Sequence, residues 1–222
     1  MKPKFTMVTV QENKDSEQLQ NKKRYRRPGK VLFSALFLLL LFTGCKQEES
    51  YNETTIRVLK KGQIENDIVE TFGKDYYNET ELRGMLEDEI EKYVEKTGEK
   101  DCVSLKELNV GKGIVKASFH YKTGEDYADF NQVTFFEGTI GDALTAGYDL
   151  NVNLLSPSAG ERIGKEELAG MENSTIVILS EPVLFNPYRS IRYVSANVEY
   201  IDETHARVSS DSAGLAYFVL ED

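Results

Sequence analysis

From residue 55 onward the chain is written in short blocks of alternating apolar and polar residues, broken by a few stretches with a helical period. Thr55 to Leu59 puts Ile56 and Val58 on one face, which predicts a strand. Lys60-Lys61-Gly62 predicts a turn, and Ile64 to Phe72 resumes the alternation, with Asn66 and Glu70 marking a place for a bulge. The period then lengthens. Leu82, Met85, Leu86, Ile90, Tyr93 and Val94 recur every three or four residues, predicting a helix capped by Asn78 with Glu81 as reciprocal partner and ended by Gly98.

Val103 to Val110 and Ile114 to Tyr121 predict a strand pair joined by Gly111-Lys112-Gly113. In the second strand Val115, Ala117, Phe119 and Tyr121 face one way, and Lys116, Ser118 and His120 the other. A short helix is expected from about 124 to 131, with Thr123 and Asp126 as its capping box. A strand is expected at 133–136 and another short helix at 139–146. Residues 151–173 are loop-rich. Ile176 to Leu179 is unbroken apolar, the pattern of a strand covered on both faces. Val194, Ala196, Val198 and Tyr200 read as one alternating strand, with 205–208 returning as its hairpin partner and 215–220 as the last strand. The class is α+β. A mainly antiparallel sheet begins strand-strand-helix-strand-strand-helix, carries helices on one face, and ends in a β-rich C-terminal part.

The first 44 residues follow another logic. They hold nine basic and three acidic side chains, so the other 178 residues carry 18 basic against 34 acidic, a net −16. Such a body is a poor nucleic-acid binder and is repelled by anionic headgroups. Residues 22–30 are a basic block, and 31–42 are apolar or small save for Ser34. Twelve residues reach about 18 Å as a helix, short of the ~30 Å core of a bilayer but suited to a signal peptide. Positive charge before the run and negative charge after it place the body outside the cytoplasm. An uncleaved single-span anchor would give the same topology, and Met1 and Met7 are both candidate starts. Arg26-Arg27 is followed by Pro28-Gly29, which does not suit twin-arginine export.

Phe42-Thr43-Gly44-Cys45 closes the leader and resembles the lipobox of bacterial lipoproteins. In that family small residues before an invariant Cys let the transferase and peptidase reach the backbone. Phe42 stands where Leu, Val or Ile is usual. The resemblance implies a signal peptide over 1–44, lipidation at Cys45, a tether over 45–53 and an extracytoplasmic domain over 54–222, with 150–173 as an alternative boundary. The body also resembles uncharacterised lipoproteins of anaerobic Gram-positive bacteria, through Asp75-Tyr76-Tyr77 and the Glu-rich helix from Glu87 to Glu95. The sequons at Asn52, Asn78 and Asn173 are set aside on this bacterial reading.

Candidate chemistry is sparse. No phosphate-binding, dinucleotide-binding or nucleophile-elbow motif occurs, and no metal or cofactor is implied. Ser118 or Cys102 could be drawn with His120 as nucleophile and base. His205 sits beside a turn, and Glu87, Asp88, Glu89 and Glu91 form an acidic helix patch suited at most to a weak Ca²⁺. Tyr76, Tyr77, Tyr188 and Tyr193 could line a sugar or peptide surface. The expectation is a non-enzymatic binding or scaffold lipoprotein on the outer face of the cell membrane, held by the lipid on Cys45 and facing an unknown protein or cell-wall partner. The alternative is an extracytoplasmic hydrolase of wall or peptide.

Overall fold

The computed structural model describes residues 52–71, 78–211 and 214–222. The first strands are β1 (Thr55–Val58) and β2 (Ile64–Thr71), followed by α1 (Glu79–Thr97), β3 (Val103–Gly111), β4 (Ile114–Tyr121) and α2 (Gly124–Asn131). Next come β5 (Phe135–Thr139), α3 (Ile140–Thr145), β6 (Leu154–Leu155), β7 (Arg162–Ile163), α4 (Lys165–Ala169) and β8 (Thr175–Leu179). The chain closes with β9 (Leu184–Pro187), β10 (Ile191–Ser195), β11 (Val198–Asp202), β12 (His205–Val208) and β13 (Ala216–Leu220).

Strands dominate, and they form two mostly antiparallel sheets rather than the one sheet expected. Seven strands run in the order β11-β12-β9-β1-β2-β4-β3, and six in the order β5-β8-β13-β10-β6-β7. The larger core lies between the sheets, where Phe185 meets Phe218 with ring centroids 4.3 Å apart. The β2-β4-β3 side of the seven-stranded sheet is roofed by helices. Tyr93 of α1 and Phe130 of α2 meet edge to face, and Tyr127 of α2 packs on Tyr121. The smaller core lies on the far side of the six-stranded sheet, under Ile140 and Ala143 of α3 and Leu168 of α4.

Pleating explains how one sheet serves both cores. In β8, Val177 and Leu179 enter the larger core, and Ile176 and Ile178 the smaller one. In β13, Ala216, Phe218 and Leu220 alternate with Tyr217 and Val219 in the same way. A bulge between Ile191 and Tyr193 shifts the phase of β10, so Ile191 and Val194 share a face while Tyr193 turns to the other.

Several local expectations are corrected. The alternation from Val194 to Tyr200 is two strands in different sheets. Asn197 turns the chain between them, accepting from the Ser195 hydroxyl and donating to the Leu215 carbonyl. β2 keeps regular register past Asn66 and Glu70: Asn66 is buried opposite Ile56, and Glu70 is exposed near the end of the strand. The bulges fall in β3, β10 and β11 instead. The segment marked by Pro182 and Pro187, for which the pattern predicts no element, forms β9 and pairs parallel with β1. The segment 151–173 contributes β6, β7, α4 and the buried Leu154, Ile163 and Leu168 to the smaller core. At α1 the Asn78 side chain accepts from the Thr80 amide at 2.8 Å, one residue short of the predicted capping box, and Met85 lies off the buried stripe. Among the described residues no helix is long and apolar enough to cross a membrane.

Candidate functional site

Cys45 and the residues before it, Phe42, Thr43 and Gly44, lie outside the described residues, as do Tyr76 and Tyr77. The other residues singled out in the sequence are dispersed. Cys102 is fully buried, its Sγ 3.7 Å from the Thr97 hydroxyl at the end of α1. His120 lies on the opposite, outward face of β4, and its ring makes no hydrogen bond among the described residues. Ser118, two residues before it, gives its hydroxyl hydrogen to Asp67. A nucleophile–base pair therefore does not assemble from these three. Tyr193 is buried in the smaller core with its hydroxyl toward Glu161, and Tyr188 stacks under the Arg189 guanidinium. No group of three or more metal-binding side chains occurs among the described residues.

Sheet register brings together residues that the sequence holds far apart. Across the outward face of the seven-stranded sheet, one row reads Ser104, His120, Glu65, Arg57, Asn186, His205 and Asp202. Both histidines of the chain lie on it. Arg57 is clamped between Glu65, at 3.0 Å, and Asp67, at 2.8 Å. At the other end the Asp202 carboxylate takes the Nδ1 hydrogen of His205 at 2.8 Å, which leaves Nε2 to accept from the Asn186 amide at 2.6 Å. The nitrogen that would act as a base is thus already engaged. The row forms a polar, hydrogen-bonded surface rather than a reaction centre.

A concave feature lies at one end of the sandwich. A groove of about 480 Å³ opens between the β1–β2 turn, the start of α2 and β5. Its lining is apolar at Ala128, Phe135 and Phe136 and charged at Lys61, Glu125 and Glu137. Two glycines shape it. Gly62 holds a left-handed φ of 73°, and a Cβ there would stand 3.4 Å from the Glu137 carboxylate. A Cβ on Gly124 would come within 2.7 Å of the Phe135 ring, so only glycine lets α2 approach β5 this closely. Half-burial pushes the Glu137 carboxyl above the usual glutamate range, with the Arg189 charge working the other way. Thr123 lines the groove, but its hydroxyl is committed to capping α2, accepting from the Asp126 amide and donating to the Asp126 carboxylate. Charge at the rim and rings on the floor suit the capture of a small or extended ligand.

Little in the amino-acid pattern announces this groove. The Lys60-Lys61-Gly62 turn reads as a chain reversal, Thr123 as a cap and 133–136 as a strand, and nothing in the pattern brings the turn to the other two, more than 60 residues further on. No protein-family model, no curated protein and no solved structure matches the chain.

Proposed function

We propose that the protein is an exported, lipid-anchored binding or scaffold module of the α+β class, beginning strand-strand-helix-strand-strand-helix. Residues 1–44 are its signal peptide, and Cys45 carries the lipid that holds it on the outer face of the cell membrane. Support for the anchor is sequential: a basic block, a short apolar run and Thr43-Gly44-Cys45 in immediate succession.

One observation carries the binding role. The groove adjoins Lys61 and Gly62, which follow the end of β1. Its apolar floor of Ala128, Phe135 and Phe136 under a charged rim offers a wall component or a neighbouring protein a place to bind. A photo-crosslinking residue in place of Lys61 should capture a defined cell-surface species on intact cells. The same residue in place of His120, on the sheet face, should not. Equal labelling from both positions, or none from either, would refute the assignment.

A further inference from the structure

The six-stranded sheet ends in an edge that the fold leaves unguarded. Among the described residues the two sheets present four edge strands, β3, β5, β7 and β11. An exposed edge is a template for pairing with another chain, so proteins blunt it with bulges, charge or brevity. β3 is bulged between Leu105 and Glu107, and β11 between Tyr200 and Asp202. Both carry charged side chains, and β7 is two residues long. β5 reads Phe-Phe-Glu-Gly-Thr over five residues in unbroken register.

Register decides which backbone groups of β5 are spare. Just beyond its two ends, the Ser180 amide donates to the Thr134 carbonyl at 3.1 Å and the Ile140 amide to the Ser174 carbonyl at 3.0 Å. Bonded and unbonded pairs alternate along an antiparallel ladder. Phe136 and Gly138, in phase with Thr134 and Ile140, therefore bond across to β8. Phe135 and Glu137 turn their N–H and C=O groups the other way, and none of these four groups has a hydrogen-bond partner among the described residues. Thr139 closes the run, its amide donating to the Asp142 carboxylate.

The spare groups meet the groove. Successive side chains of a strand point to opposite faces, yet Phe135, Phe136 and Glu137 all line it. The facing wall is Gly124, Glu125 and Ala128 of α2, and no residue of β8 takes part. The groove thus runs along the free edge of β5, between strand and helix. With α2 and the β1–β2 turn as walls, it admits one extended chain. A second copy would bring the same walls to the same edge and could not pair there. Glu125 and Glu137 outnumber Lys61 in the lining, within a body of −16, so charge favours a basic occupant.

We propose that an extended, basic segment of a partner protein adds to β5 as a further strand, its backbone bonding the N–H and C=O groups of Phe135 and Glu137. This rests on the binding role assigned to the groove above and names its ligand class. The probe is a capped octapeptide alternating valine and lysine, added to full-length protein in non-ionic micelles, with amide exchange read by NMR. Exchange at Glu137 should slow about tenfold or more at saturation, while Phe136 and Gly138, bonded to β8, are slow throughout. Two further peptides carry N-methyl groups on the valine or on the lysine amides. One should bind like the parent and the other about tenfold more weakly, since a single phase of the added strand faces β5. A valine–glutamate peptide should bind several-fold more weakly than the parent. No slowing at Glu137, no difference between the two methylated peptides, or equal binding of the acidic one would overturn the proposal. A crosslink from Lys61 on cells would then leave the groove's binding role standing, whereas no crosslink there would overturn both.

Discussion

The two sheets are built from different kinds of sequence, because they meet different surroundings. The six-stranded sheet is covered twice, by its partner sheet on one side and by α3 and α4 on the other, so β8 and β13 are apolar at nearly every position. The seven-stranded sheet is covered once. Its β4 alternates buried Val115, Ala117, Phe119 and Tyr121 with outward Lys116, Ser118 and His120. Cohesion is concentrated in the first sheet, and the second has an entire face open to charged and polar side chains.

That contrast sets the order of mutational effects. Phe218→Ala, in the doubly covered sheet and against Phe185, should cost about 3–5 kcal/mol in urea unfolding. A loss under about 1 kcal/mol would mean the sheets are not cemented there. Arg57→Ala, on the open face, leaves Glu65 and Asp67 facing each other in a partly exposed site. A cost of about 1 kcal/mol, shrinking with added salt, is expected from the same measurement. Glu137→Gln tests the edge of the six-stranded sheet through pH. The native Glu137 carboxyl holds its proton more tightly than the unfolded chain does, so wild-type stability falls as pH rises from the ordinary glutamate range to the raised native value. The amide should flatten that fall and raise the unfolding midpoint at neutral pH. Smallest of all, His120→Ala should stay within about 0.5 kcal/mol of wild type, since the ring has no hydrogen bond among the described residues to lose.

How much could be read in advance follows the same division. The run Ile176 to Leu179 announced a strand buried on both sides because double coverage leaves no polar position. The alternation of β4 announced single coverage. Sequence pattern fails where the partner changes but the period does not. From Val194 to Tyr200 the apolar rhythm runs through Asn197, and only the folded chain reveals that the two halves belong to different sheets. β9 was concealed by its flanking prolines, and β6 and β7, two residues each, are too short to carry any period. The groove was least legible, since the fit of Gly124 against Phe135 is a property of packing alone.

The parallel pairing of β1 with β9 has a kinetic consequence. Thr55 sits opposite Leu184, and the Glu53–Arg207 ion pair beside them joins residues 154 apart in the chain. Contacts of such long range raise the entropic barrier to folding. As the polypeptide emerges amino end first, β1 can pair with β2 at once but waits for its second neighbour, β9, until most of the chain has followed. A product truncated before residue 184 should therefore be a ready target for proteases instead of a smaller stable domain.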